Sequence, residues 1–297
     1  MDNSQQDGQN TIDYRMINDY SLDRVVGEGT FIHIINNLDD FYQPLHPKIS
    51  EDVTLGIIVR DELMNPAGGI LSMLNQHIDY FSNIVVMDTG SVDGTRELLE
   101  YLSGQYPHLT VYDQRFRGFA HARNKLGKKI KTKYVLALDA DEMLFGKALL
   151  RIPTFLEEHS DFDVIEFNFI NISPGVPNSN GHGWKGRFYN PKNISFKGFI
   201  WENHDNEPGL ICTGAQIHHF LPKPYDVLKK RRNWHDVIYS KHRLAKKSPV
   251  EFKNFKDWKI PNIPTLAAYG IDVFDVIKQI EDIGIKFPDN LMPLKFN

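Results

Sequence analysis

Apolar residues come in short, dense runs through the middle of the chain. Residues 53–60, VTLGIIVR, are too few for an ordinary helix and rich in β-branched side chains, the pattern of a strand buried on both faces. A helical segment is predicted from about Gly69 to Asp79. Ile84-Val85-Val86-Met87 is a second strand, which breaks into the polar turn Asp88 to Thr95 and then a helix-like RELLEYLSG. Val111-Tyr112 marks a third strand. Residues 119–130 read as a helix with Lys and Arg toward its C-terminal end, and Tyr134 to Leu138 as a fourth strand ending in Asp139. Strands alternating with helices predict an α/β domain built on a mostly parallel, doubly wound sheet.

From about residue 160 the texture changes. FDVIEFNFINI, GRFYN and ISFKGFIWENH are short aromatic stretches separated by Gly, Pro and Asn, which predicts a small antiparallel addition. After Pro224 the pattern turns helical and basic through Lys247, and VFDVIKQIEDIGIK predicts a late helix. The polar, Gln/Asn-rich start predicts a disordered segment over residues 1–20. The expected division is then an α/β domain over 21–222 and a helical C-terminal extension over 223–297.

Composition narrows the function classes. An apolar fraction of 41% supplies a sizeable core, and a formal net charge of −4 gives no global attraction to nucleic acid or anionic lipid. The one cysteine, Cys212, excludes an internal disulfide. No basic-then-apolar leader opens the sequence, and no run of about eighteen apolar residues follows, so a cytoplasmic protein without a transmembrane segment is expected.

In open parallel sheets, ligands bind beyond the carboxyl ends of the strands. Here those positions are acidic: Asp88 after one strand, and Asp139 and Asp141 after another, the last two spaced to project to the same side. Two carboxylates about 4 Å apart repel by roughly 4 kcal/mol at an effective dielectric of about 20. A hard divalent ion removes that repulsion, taking one or two carboxylates and completing its shell with water and substrate phosphate. Asp139-Ala140-Asp141 also suits a helix N-terminus, so the triplet alone leaves both readings open. A calcium loop is excluded, because Met143 and Leu144 stand where an oxygen ligand and a turn glycine belong.

The company of that triplet decides between them. GIIVRDE, Val86 to Thr95 (VMDTGSVDGT), Phe119 to Lys125 (FAHARNK) and Leu138 to Glu142 (LDADE) follow one another in order, and together they resemble the family 2 glycosyltransferases of GT-A fold. Arg187-Phe188, Phe196-Lys197-Gly198 and Ile217-His218 extend the similarity to small bacterial and phage enzymes of that family, some of which glycosylate peptides. The resemblance implies a Rossmann-like GT-A domain moving a sugar, with inversion, from a nucleoside-diphosphate sugar, expected to be a UDP-sugar, with Mn²⁺ or Mg²⁺. It places Ile58, Arg60 and Glu62 around the nucleoside, Asp88 on the base and Arg123 near the phosphates. It sets Asp139 at ribose and metal, with Ala140 between it and Asp141, which coordinates the ion, and His218 as a further metal or phosphate contact. Glu202 is the expected catalytic base, ahead of Asp205 and Glu142, and Trp201 a stacking surface for a sugar ring.

Other signals carry less. Gly181 to Gly186 fits G-x-G-x-x-G in letters but neither follows a convincing strand nor opens a helix; Trp184 and Arg187 beside it are candidate substrate contacts. Residues 228–247 hold eight Lys/Arg against one Asp, a solvated helix face or a patch for a polyanion. Two alternatives to a glycosyltransferase stay open: a nucleotidyltransferase, which would want a glycine-rich basic loop where Asp61-Glu62 stand, and a non-catalytic glycan- or nucleic-acid-binding module using 228–247. The acceptor stays open among peptide, glycan and modified DNA base.

Overall fold

Strand β1 (Val53–Val59) is buried at every position because it lies inside the sheet, paired in parallel with β2 (Ile84–Asp88) on one side and β4 (Tyr134–Asp139) on the other. The computed structural model describes residues 51–63, 69–145, 163–173, 176–179, 184–198, 202–204, 210–220 and 272–285. Strand β3 (Leu109–Asp113) pairs in parallel with β2 at the edge. Between these strands run α1 (Ile70–His77), α2 (Thr95–Gln105) and α3 (Phe119–Gly127). The expected helix over 119–130 therefore ends three residues early, at Gly127. The predicted α/β architecture is what the chain adopts.

The addition continues the same sheet. Strand β8 (Trp184–Tyr189) pairs antiparallel with β4, and β6 (Val164–Ser173) antiparallel with β8. Strand β7 (Val176–Ser179) pairs with β6, β11 (Leu210–Phe220) runs parallel to β6, and β5 (Glu142–Phe145) pairs antiparallel with β11. Strands β9 (Phe196–Lys197) and β10 (Asn203–His204) form a separate two-stranded ribbon. The short β5 was not expected from the sequence. Only Ala140 and Asp141 separate it from β4, a span of about 10 Å for an extended chain, yet β8, β6 and β11 intervene in the sheet, four strand spacings of about 4.8 Å each. The sheet must curl so that its far edge returns to the mouth of β4.

Apolar side chains cover both faces. On one face Leu55, Ile57 and Val86 pack with α1, α2 and α4 (Val273–Asp282), whose Val276, Ile277 and Ile280 join that core. On the other, Ile58, Val135 and Ala137 pack with Ala120, Ala122 and Leu126 of α3, and with Tyr189 and Phe196. Gly56 makes this second face possible, since a Cβ there would lie 2.8 Å from Val135 Cγ2 and 3.1 Å from Leu126 Cδ2. Of the expected helical extension, α4 is described; the basic segment 228–247 and the N-terminal residues 1–20 lie outside the described residues. Among the described residues no helix is long and apolar enough to cross a membrane.

Candidate active site

The acidic residues at the strand ends fall into two groups. At the end of β2, Asp88 is 3% exposed, and its Oδ1 accepts the backbone N–H of Gly90 at 2.7 Å and of Ser91 at 2.9 Å. Its Oδ2 is buried and meets no partner among the described residues. Buried acceptors are rarely left orphaned in a folded protein, so this oxygen marks a place for a donor from outside. Nearby, Arg60 donates to the Thr89 carbonyl at 3.5 Å and lies 6.0 Å from the centre of the Phe116 ring. Ile58 stands in register with both Met87 and Asp139, between the two groups. Glu62 is buried; its backbone N–H donates to Thr95 Oγ1 at 2.9 Å, which ties the β1 tail to the start of α2.

The second group is an ion-pair network. Arg123, its side chain fully buried on α3, donates through Nε to Glu202 Oε1 at 2.6 Å and through Nη2 to Asp139 Oδ1 at 2.8 Å. Arg187 on β8 donates through one Nη2 to Asp139 Oδ2 at 3.1 Å and to Glu142 Oε1, and its Nη1 lies 3.9 Å from Glu202 Oε1. Glu142 Oε2 accepts the Asp139 backbone N–H at 3.0 Å. Two guanidinium groups therefore hold three carboxylates, each oxygen of Asp139 facing a different arginine.

Local folding explains the placement. Asn124, next to Arg123, donates to the Phe196 carbonyl at 2.8 Å and accepts the Phe196 N–H at 2.9 Å, mimicking a strand partner. That clamp ties the ribbon carrying Glu202 to α3. The Phe196 ring lies 5.9 Å from the Arg123 guanidinium carbon.

Electrostatics follow burial. Burial opposes the charge on Arg123, but Asp139, then Glu202 and Glu142, outweigh it and hold the guanidinium above its ordinary range. Burial pushes Asp139 up, with Arg123 opposing and Glu202 and Asp141 adding. Burial also pushes Glu142 well up, and the charge of Asp139 adds to it, against Arg123 and the Asp139 N–H. The Tyr189 hydroxyl, buried beside this network, is pushed up to about 12, chiefly by burial.

The structure brings together Arg123, Asp139, Glu142, Arg187 and Glu202, and separately Asp141 and His219. Arg123, expected near the phosphates, is fully buried and engages the carboxylates of Asp139 and Glu202. The proposed metal set of Asp139, Asp141 and His218 does not converge. His219 is paired with Glu142 across β11 and β5, so their side chains share a face, and its Nε2 lies 3.4 Å from Asp141 Oδ2. His218, one residue earlier, pairs with Met143 and is buried, its imidazole held down to about 4 by that burial. Ala140 is buried in the core and separates the two carboxylates. Arg187 was read from sequence as part of the Arg187-Phe188 block and as a possible substrate contact; a charge between Gly186 and Phe188-Tyr189 in an aromatic strand was the further signal. Trp201 and Asp205 lie outside the described residues, and so does the side chain of Trp184.

No group of three or more His, Cys, Asp or Glu side chains converges on a point among the described residues. A dedicated protein cage is thus not what these residues offer. A hard ion bound through substrate phosphate needs only one or two protein ligands, and Asp141 with His219 fits that sparse requirement better than Asp139, whose oxygens are both engaged by arginine.

Residues 67–216, half of the chain, match the sequence profile of glycosyl transferase family 2. The chain belongs to that family. The uncharacterized glycosyltransferase YibD of Escherichia coli (strain K12) is 33% identical over 86 residues, 29% of this chain and 24% of that protein. The SPbeta prophage-derived glycosyltransferase SunS of Bacillus subtilis (strain 168) is 23% identical over 209 residues, 66% of this chain and 46% of its own. The chain thus spans less than half the length of these curated relatives. Among solved structures, S. aureus TarS 1-349 in complex with UDP superposes with a TM-score of 0.42 at 16% identity, over 57% of this chain and 60% of that one.

Beside the arginine–carboxylate network one backbone contact is tight enough to test. A Cβ on Gly186 would lie 2.5 Å from His204 Nε2 and 2.8 Å from Val164 Cγ1. Gly186→Ala is expected to displace His204, and with it Glu202 two residues earlier, costing about 1–3 kcal/mol of stability and more than tenfold in turnover. Thermal unfolding and initial rates check this; wild-type rates would show that the ribbon's position does not matter.

Proposed function

We propose that the chain transfers a sugar, with inversion, from a UDP-sugar to an acceptor nucleophile activated by Glu202. The observation that carries the reading is the pair of strand-end groups: a buried Asp88 oxygen with no partner among the described residues, and a Glu202 carboxylate held by the same Arg123 that holds Asp139. Asp88 offers an acceptor, which suits the ring N–H of uracil, thymine or guanine and opposes the bare ring nitrogen of cytosine. Ile58, Arg60 and Phe116 line the same approach. On this reading Arg123 serves the donor through Asp139, which faces the ribose.

Both arginine contacts of Glu202 fall on Oε1, which leaves Oε2 to take a proton from an acceptor hydroxyl, thiol or amide. Leaving diphosphate accumulates negative charge as the glycosidic bond breaks, and Mn²⁺ or Mg²⁺ held by Asp141 and His219 would offset it. The nucleotidyltransferase alternative is disfavoured because residues 61–63 tie back to the turn after β2 instead of forming a glycine-rich phosphate loop.

Titration calorimetry with UDP, GDP, CDP and dTDP in the presence of Mn²⁺ tests the reading. UDP is expected to bind and CDP to bind at least tenfold more weakly, the size of about 1.4 kcal/mol. Asp141→Ala is expected to lose the Mn²⁺-dependent part of UDP affinity and nearly all transfer. Binding of none of the four nucleotides would sink the proposal.

A further inference from the structure

Asp61 follows β1 with φ +53°, the only positive φ at a described non-glycine residue. Left-handed backbone of this kind is tolerated by Asn and Asp and by few others. From there its Oδ1 accepts the Val92 N–H at 2.8 Å while its own N–H donates to Ser91 Oγ at 3.0 Å. A second carboxylate ties the same two segments. Asp93 Oδ2 accepts the Leu63 N–H at 3.0 Å and Oδ1 the Thr95 N–H at 3.0 Å. The turn after β2 is thus stitched to the β1 tail through Asp61 and Asp93, and the residue that this turn aims is Asp88, whose buried Oδ2 has no partner among the described residues.

We propose that Asp61 is a positioning residue: by holding Val92 and Ser91 it sets the turn that presents the unpaired Asp88 oxygen to a nucleobase N–H, and its charge, set against Asp93, makes that turn loosen as pH rises. The nucleobase part rests on the reading under Proposed function; the turn and its pH response do not.

The charges around the pair favour this. From the β1 tail come Arg60, whose Nε lies 3.7 Å from Asp61 Oδ2, and the buried Glu62. From the turn come Asp88 and Asp93. On α2, Arg96 is engaged by Asp113 at 2.7 Å and Glu100 at 3.6 Å. Beside Gly94, the approach from the α4 side is apolar, through Ile285 Cγ2 with Leu63 Cδ2 alongside. Arg60 is therefore the cation beside Asp61, and the charges that act on Asp93 are those of Asp61 and Glu62. Burial first, and then the charge of Asp61, push the Asp93 carboxyl up to about 7. A carboxyl raised in the folded state contributes stability that is present below its unfolded value, about 4, and lost as pH rises through about 7. The latch is therefore tighter on the acid side.

Replacing Asp61 by Asn keeps an acceptor for Val92 and the tolerance for positive φ while removing the charge; replacing it by Ala removes both. The test is amide hydrogen exchange over residues 88–95 of the nucleotide-free full chain, at pH about 5.5 and about 8.5, either side of the Asp93 titration. With Asp61→Asn, the Ser91 and Val92 amides are expected to exchange at least about threefold more slowly than wild type at the higher pH and alike at the lower. With Asp61→Ala they exchange faster at both. UDP affinity, measured alongside, is expected to rise with Asp61→Asn at the higher pH only. An Asp61→Asn difference that is equal at both pH values, or an Asp61→Ala that exchanges like wild type, overturns the proposal. Loss of UDP binding in wild type as well would overturn the donor reading alone, since exchange is read without nucleotide.

Discussion

Arg123→Leu is expected to lower unfolding stability by about 3–5 kcal/mol and to abolish transfer. The magnitude is that of removing one partner from a buried ion pair, and here the loss is shared by Glu202 and Asp139, both within 2.8 Å of the guanidinium. Arg187 alone would then face Asp139, Glu142 and Glu202. The deficit has a pH signature. Asp139 and Glu142 already carry raised folded-state values, and removing a cation raises them further. Carboxyls raised on folding lose their stabilising contribution as pH rises through the folded value, so the variant should fall furthest behind wild type at alkaline pH and recover as pH falls. Arg123→Lys separates charge from shape: a single ammonium cannot serve Glu202 from one side and Asp139 from the other as Nε and Nη2 do. It is expected to recover part of the stability and little of the turnover. Denaturant unfolding and initial rates check this, and a wild-type midpoint for Arg123→Leu would remove the network from the account of stability.

The same network shows where sequence reading reaches and where it stops. The parallel half was legible because β1, β2 and β4 are dense apolar runs that end in or run straight into a chemically distinctive residue, Arg60 after β1, Asp88 on β2 and Asp139 on β4. Strand β5 was not, because its Glu142-Met143-Leu144-Phe145 is too short to show a period and its partner β11 arrives from the far edge of a curled sheet. The facing of the two adjacent histidines was not legible for a related reason. In a strand, one residue of register exchanges the two faces, and β11 carries an irregularity between Cys212 and Gln216 that shifts its pairing with β6. Nothing in Ile217-His218-His219 discloses which imidazole faces Asp141. Arg123 was seen as a member of the site, but sequence cannot say that its guanidinium is buried between Asp139 and Glu202. Arg187 sat between glycine and two aromatic residues that do pack in the core, and its charge and its place in the Arg187-Phe188 block were the signs that the strand passes through the site.

Glu202→Gln is the substitution that separates chemistry from binding. The amide is nearly isosteric, and its oxygen can still accept from Arg123 Nε, so the fold and the ribbon carrying it should be kept. What it loses is the capacity to take a proton. General-base removal of this kind is expected to lower turnover by about 10²–10⁴-fold, while UDP affinity stays within about twofold of wild type, because no donor contact has been assigned to Glu202 and a uniform-binding effect would appear in affinity. Glu142→Gln is the matching comparison. Glu142 is nearly fully buried, bonded to the Asp139 N–H and to Arg187, a place from which it can orient Asp139 but cannot reach an incoming acceptor. Its variant should therefore lose stability and donor affinity together. If the pattern were reversed, with Glu142→Gln inactive at unchanged UDP affinity and Glu202→Gln still turning over, the base would be Glu142 and the acceptor would have to enter from the β5 side of the sheet.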